Sequence, residues 1–237
     1  MYVVLSGAAF GKARLANEAV APMLRAAGVA VVIAPFDTHL KCAIIDNAVF
    51  VADTNFSAHG LIVQDDRATD RALLVRAMVR GETGGDTHLW TRKADALAAE
   101  ARVSAVRATR SLDVSSESFG AGTAIYRVLE RRARLHDRVR LLVAAREAHG
   151  YRERMALARL ARDGVVVRVG NTDEKLAVDS PDAFFGSANA TSGLPGQVEW
   201  GMAVQSVPIA AAIEARFRRD WNSAQPWAGP GSVARRP

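Results

Sequence analysis

Apolar residues in this chain fall in short runs, and polar residues return between them at two different spacings. The runs Met1-Tyr2-Val3-Val4-Leu5, Val29 to Ile33, Cys42-Ala43-Ile44-Ile45, Val49-Phe50-Val51, Leu112-Asp113-Val114, Val139 to Val143 and Val165 to Val169 read as strands. Residues 12–27, Arg67 to Arg80, Ala94 to Arg107, Ile125 to Arg134 and Tyr151 to Arg162 read as helices. Pro22 is expected to bend the first helix or delay its start, and Ala27-Gly28 to end it. Asp46-Asn47 is a turn signal between two strands, and residues 81–86 form a loop by composition. Ser115-Ser116-Glu117-Ser118-Phe119 reads as an exposed loop, and the Pro/Gly-rich tail from Pro226 as disordered. Strands alternating with helices predict an α/β fold.

The pattern occurs twice. Leu24 to Val31 leads into His39-Leu40-Lys41, then Asp46, Asn55 and Asp65. Leu160 to Val167 leads into Asp173-Glu174-Lys175, then Asp179, Gly186-Ser187-Ala188-Asn189 and Glu199. Asn55 precedes Asp65 by ten residues, and Asn189 precedes Glu199 by ten. The chain has only four lysines, Lys12, Lys41, Lys93 and Lys175, and two of them stand at matching places. Internal repetition of this kind fixes the architecture before any finer reading. Met1 to Leu5 aligns with Val139 to Val143, so it reads as a strand and not as a secretory signal. The second copy opens with a strand and helix, residues 112–134, that the first copy lacks. Either that edge is trimmed or the true start lies upstream of Met1. The expected division is a first repeat over 1–80, without its first strand and helix, a connector over 81–110, a second repeat over 111–225 and a tail over 226–237.

At these residues the chain resembles the phospholipase D superfamily, whose paired motif is His-x-Lys-x4-Asp followed by Gly-Ser-x-Asn and a later acid. The segment Phe217-Arg218-Arg219-Asp220-Trp221 is similar to the closing helix of such domains. The resemblance implies two similar α/β/α halves whose motifs meet at a pseudo-two-fold interface. It also implies a metal-independent phosphodiesterase with no cofactor, acting through a phosphohistidine intermediate. In that scheme His39 is the nucleophile, and Lys41, Asn55, Lys175 and Asn189 bind the phosphate. Ser187 adds a donor, and Asp65 and Glu199 orient imidazoles. Asp46 and Asp179 do structural work at strand ends.

The copies depart from the motif. Asp173 stands where the second histidine belongs, which leaves Glu199 without its expected partner. Lys175 to Asp179 is one residue short, so Ser180 competes with Asp179 for the acid position. Ala52-Asp53-Thr54-Asn55 replaces Gly-Ser-x-Asn. Three explanations compete. Asp173 acts as general acid, held protonated by apolar walls. Two chains pair their intact first motifs as a homodimer. Or the site binds phosphate without turning over, as a module for nucleic acid or anionic membrane. His59, His88, His136 and His149 read as ordinary polar residues, although His59 is near enough to Asn55 to line the same mouth.

Charge then bears on the substrate. The net charge is +6 with a pI near 10.1, from 27 arginines and four lysines. A basic surface favours nucleic acid or an anionic phospholipid headgroup, while a GC-rich genome accounts equally well for the arginines. With no apolar run near the ~20 residues that span a bilayer and no secretory signal, the location expected is cytoplasmic. A single cysteine, Cys42, excludes an internal disulfide and reads as packed in a strand.

Overall fold

The computed structural model describes residues 2–6, 12–45, 48–52, 62–146, 148 and 150–229. In chain order the elements are β1 (Tyr2–Ser6), α1 (Lys12–Ala26), β2 (Ala30–Ala34), β3 (Cys42–Ile45), β4 (Ala48–Ala52), β5 (Ile62–Asp65), α2 (Ala68–Arg80), β6 (Leu89–Arg92) and α3 (Lys93–Ala105). There follow β7 (Ser111–Ser116), α4 (Ala124–Arg134), β8 (Arg138–Ala144), α5 (Tyr151–Arg162), β9 (Val166–Gly170), β10 (Leu176–Asp179), β11 (Asp182–Gly186), β12 (Val198–Gln205), α6 (Val207–Ser223) and β13 (Gln225–Pro226). This is the α/β alternation that the periodicities predict. Pro22 sits inside α1, which starts no later for it. No helix among the described residues is long and apolar enough to cross a membrane.

An eight-stranded mixed sheet organises the chain, in the order β13-β9-β8-β7-β10-β11-β12-β6. Strands β7, β8 and β9 are parallel, and the rest pair antiparallel. Successive side chains of a strand face opposite sides, and here both sides are apolar. Leu141, Val143, Ala177 and Phe184 face a core built with α3, α4 and α5. Leu142, Leu176, Val178 and Phe185 face a second core built with α6, α2 and β4. Strands buried on both faces carry near-continuous apolar runs, which is why Val139 to Val143 has no polar alternation apart from Arg140.

The first half is smaller and divided. Its strands form a parallel pair, β1-β2, and a separate three-stranded sheet, β3-β4-β5. In the second half, β7 lies between β8 and β10 and joins what correspond to those two pieces. Among the described residues no strand takes that place in the first half. A strand in that place would join the two pieces into one sheet, as β7 does in the second half.

Two expectations fail locally. Ser115 and Ser116 belong to β7 and are buried, and Phe119 is fully buried, so this is core and not an exposed loop. The tail is ordered through Gly229: Gln225 and Pro226 pair with β9, and Trp227 packs against the first core. An apolar ring is enough to hold that Pro/Gly-rich stretch, and only residues 230–237 lie outside the described ones. Between the repeats, β6 edges the large sheet and α3 is largely buried.

One ionic cluster closes the second half. Arg132, 2% exposed, gives Nε to Asp137 at 2.9 Å and Nη1 to Asp179 at 2.7 Å. Asp179 also accepts from Thr109 N at 2.8 Å, as expected of an acid with structural work at a strand end. Hydrogen bonds from Arg107, followed by Arg132, outweigh burial and hold the Asp137 carboxyl at about 2. Removing one member of a buried pair leaves an uncompensated charge. Arg132→Ala should lower unfolding free energy by about 3–5 kcal/mol, measured by urea denaturation. Because the folded pKa of Asp137 is depressed, its stabilisation is complete above the unfolded value near 4. Wild-type stability should fall as pH drops toward 2, and an Asp137→Asn variant should lose that part of the slope.

Candidate active site

The two motif lysines begin equivalent hairpins. Lys41 immediately precedes β3, and Lys175 immediately precedes β10. Cys42 pairs with Val51 and Ile45 with Ala48; likewise Leu176 pairs with Phe185 and Asp179 with Asp182. By this register Ser180, not Asp179, corresponds to position 46, and Ala52 corresponds to Gly186. Gly186 is forced by close packing: a β-carbon there would lie 2.5 Å from the Trp200 carbonyl oxygen. Ala52 pairs with Ile62 of β5.

The lysines reach back in the same way. Lys41 Nζ donates to the carbonyl of His39 at 3.0 Å, and Lys175 Nζ donates to the carbonyl of Asp173. Lys175 also pairs with Glu117 at 2.8 Å. The two hairpins bring these groups together. Burial lowers the pKa of Lys41, Lys175 adds to that, and Glu199, Glu117 and Asp173 act against it. Two ammonium groups and three carboxylates thus share one site, drawn from both halves.

His39 is fixed from the second half. Its backbone amide donates to Val198 O at 2.9 Å, beside a bridge between Thr38 and Val198. Its ring Nδ1 lies 3.1 Å from Glu199 Oε1. Glu199 is 1% exposed and also accepts the Ser187 hydroxyl at 2.5 Å. A buried carboxylate needs donors, so the ring proton belongs on Nδ1 and the lone pair on Nε2. Gln197 Nε2 lies 3.2 Å from His39 Nε2 and donates to Asp37 Oδ2 at 2.7 Å.

Several expectations are corrected by this geometry. Glu199 has not lost its partner, because it holds the surviving histidine. Ser187 uses its one proton on Glu199 and accepts from Trp200 N at 2.9 Å, so it positions the acid and has no hydrogen left for a phosphate. Asp173 is exposed and has no apolar wall to keep it protonated. Asp65 is elsewhere. It pairs with Val49, while the site end of β4 is Ala52 opposite Ile62. The equal ten-residue spacings were a coincidence of loops of different length. Asp65 instead lies beside His88 and Asp70, so His88, read as an ordinary polar residue, belongs to a half-buried cluster with two carboxylates. Asn55, Asp46, Asp53, His59 and His149 lie outside the described residues.

Asn189 does reach the site. Its Oδ1 accepts from Ser118 N at 3.2 Å and its Nδ2 is 3.5 Å from Glu117 Oε2. Three further groups were not anticipated. Glu117 links Lys175, Arg146 and Asn189; burial alone would raise its pKa, but Lys175 and Arg146 hold it at about 2. Lys93 donates to Thr191 at 3.1 Å, and its pKa is lowered by burial against the pull of Glu199. Gln197 is the third. The scarcity of lysine could have marked Lys93, and Gln197 stands two residues before Glu199 on the same strand edge. Glu117 carried no signal beyond being the one charge in a small polar run.

No family model matches the sequence, and no curated protein does. Solved structures do match in fold. NucT from Helicobacter pylori superposes with a TM-score of 0.50 at 16% identity, over 62% of this chain and 100% of that one. A phosphatidylserine synthase from Haemophilus influenzae gives 0.58 at 8%, over 81% and 64%. A polyphosphate kinase from Porphyromonas gingivalis gives 0.59 at 12%, over 92% and 42%. The chain has a phospholipase D-like fold. It spans less than two thirds of the synthase and of the kinase.

In this site the lysines differ from ordinary ones in a measurable way. After reductive methylation with a ¹³C label, the Lys41 and Lys93 signals should titrate below the ordinary lysine range near 10.4. Glu199→Gln should lower Lys41 further, since it removes the largest opposing charge. Resonances that titrate as free lysine would contradict the buried cluster.

Proposed function

We propose that the chain is a phosphodiesterase of phospholipase D type that works from a single histidine. What supports this most is the contact between His39 Nδ1 and the buried Glu199, with Lys41 near enough to feel the charges of both Glu199 and Lys175. Glu199 fixes the tautomer, so His39 Nε2 carries the lone pair that attacks phosphorus. The phosphorus–oxygen bond to the leaving alcohol breaks as the bond to nitrogen forms. Lys41, Lys175 and the Asn189 amide neutralise the non-bridging oxygens. Water then attacks the phosphohistidine, the phosphorus–nitrogen bond breaks, and a phosphate monoester that keeps the second ester group is released. The cations are partly satisfied by Glu117 in the resting site, so substrate competes with or joins that carboxylate.

Among the described residues, no imidazole stands opposite His39. The leaving oxygen must then depart without an efficient proton donor, which favours leaving groups that are already stable as anions. A positioned general acid contributes typically ~10²–10⁴-fold. The substrate class is nucleic acid on this reading. A cleft of about 1020 Å³ opens beside Ser118 and Thr191, with Arg152, Arg162 and the exposed Tyr151 on its wall. Basic side chains interleaved with an aromatic suit a polyanionic strand, and the net charge of +6 acts in the same direction. The second reading is a phosphate-binding module without turnover, which the exposed Asp173 in place of the second histidine favours.

Wild type should cleave an activated aryl phosphodiester and fall far behind on an alkyl one. His39→Ala should reduce the aryl reaction to background, and Glu199→Gln should cost about 10–10³-fold. Asp173→His should raise turnover of the alkyl ester by at least about tenfold. Folded wild type without aryl activity, whose affinity for single-stranded DNA is unchanged in His39→Ala, would leave the binding module as the correct reading.

A further inference from the structure

Away from His39, the end of β5, the first turn of α2 and the loop before β6 bring three ligand-type side chains together. Asp65 Oδ2 is 3.9 Å and Asp70 Oδ2 3.6 Å from His88 Nε2, and the ligand atoms of all three lie within 4.8 Å of one another. The cluster is separate from the phosphate site. His88 O accepts from Ala203 N at 2.9 Å, four residues along β12 from Glu199, roughly 13 Å at the rise of a strand.

We propose that Asp65, Asp70 and His88 bind one divalent transition-metal ion of the zinc class, in a structural role. The strongest reason is unanswered polarity. Asp70 is 0% exposed, and neither of its carboxylate oxygens has a hydrogen-bond partner; nor does Asp65 Oδ2. Buried carboxylates are paired, hydrogen-bonded or bound to metal. Arg67 and Asp86 are the other charged groups that act on the cluster, and the Arg67 guanidinium makes no hydrogen bond to those three oxygens.

The ligands are also held in place. Asp65 Oδ1 accepts the Arg67 amide at 3.0 Å, which turns Oδ2 inward. Asp86 Oδ1 accepts the His88 amide at 2.6 Å and the Leu89 amide at 2.9 Å, which fixes the loop that carries the imidazole. Bonds of ~2.0–2.2 Å in tetrahedral geometry put ligand atoms about 3.3 Å apart. The observed 3.6 and 3.9 Å need to close by only a few tenths of an ångström. An imidazole with two carboxylates selects zinc, cobalt or manganese over calcium and magnesium, which prefer all-oxygen sites. Water would fill the fourth position. Such an ion would tie β5 and α2 of the divided first half to β6 at the edge of the large sheet.

The competing arrangement is a proton shared between the two carboxyls; burial, and then Asp65, push the Asp70 carboxyl up to about 7. The deciding experiment titrates the full chain, stripped of metal by chelator and exchanged into chelator-free buffer, with Co²⁺. One Co²⁺ per chain is expected, with the visible absorption of a low-coordinate nitrogen–oxygen site, and Zn²⁺ should displace it. Zn²⁺ at a hundredfold excess over its Kd should raise Tm by roughly 5–10 °C. His88→Ala should weaken binding at least about 100-fold, while His136→Asn should not change it. If His88→Ala fails to fold, Asp70→Asn carries the same comparison. Three results would overturn the site. One is the absence of stoichiometric Co²⁺ or Zn²⁺ binding by folded wild type at tens of micromolar, a concentration chosen as about what a three-ligand site must meet. The second is unchanged binding in His88→Ala. The third is a metal-free Asp70→Asn protein more stable than wild type, with no response of wild type to either ion.

Discussion

A carboxylate with almost no solvent around it governs this site. Glu199 is reached by a histidine from the first half, a serine hydroxyl from its own half, and the electrostatic pull of Lys41 and Lys93. Burying a charge without such partners costs several kcal/mol or more, so β12 cannot occupy its place unless the first half docks against it. The docking is made by backbone as well as side chain. His39 N meets Val198 O, and Trp200 Nε1 donates to Ala52 O at 3.1 Å. The same few residues of β12 therefore hold the halves together and set the tautomer of His39, and stability and chemistry are coupled there.

The halves obey one plan with unequal means. Strand β7 supplies a parallel neighbour to β8 and an antiparallel neighbour to β10, which turns the second half's strands into one sheet. Without a counterpart among the described residues, β1-β2 and β3-β4-β5 stay separate, and the first half borrows its order from the second. Val49 and Val51 of β4 are fully buried in the core beneath α6, and Trp200 and Phe185 meet edge to face in that same core. The residues that bear His39 and Lys41 are thus held by packing made largely of second-half side chains.

Strand and helix positions were legible because burial on both faces leaves an unmistakable apolar run, as in Val139 to Val143. The pairing of Lys41 with Lys175 was legible for a different reason: lysine is scarce here, and each one begins a hairpin of the same register. Asp65 was misread because linear spacing does not count strand register. A loop of different length moves an acid several residues along a strand, and β5 carries Asp65 to the end far from the site. Ser115 to Phe119 was misread because small polar residues look solvated, although Ser115 and Ser116 satisfy their hydroxyls inside the fold, on Thr172 and on the Ser118 carbonyl. Glu117 could not be found from sequence at all, since its role depends on Lys175, Arg146 and Asn189 arriving from three other segments.

Aspartate at position 173 stands in surroundings that match those of His39. Lys175 still bonds to the carbonyl of residue 173 in the way that Lys41 bonds to that of residue 39, so the backbone at Asp173 keeps the conformation of a motif strand end. The side chain, by contrast, is exposed, and a carboxylate there adds negative charge to a site already holding Glu117 and Glu199. The two lysines and the Glu117–Arg146 pair keep that charge tolerable. A site under pressure only to fold would gain by losing buried lysines, because each is desolvated and each repels the other. Their presence beside His39 is a cost in stability, and on the proposed reading the binding of a phosphoryl group is the event that would offset it.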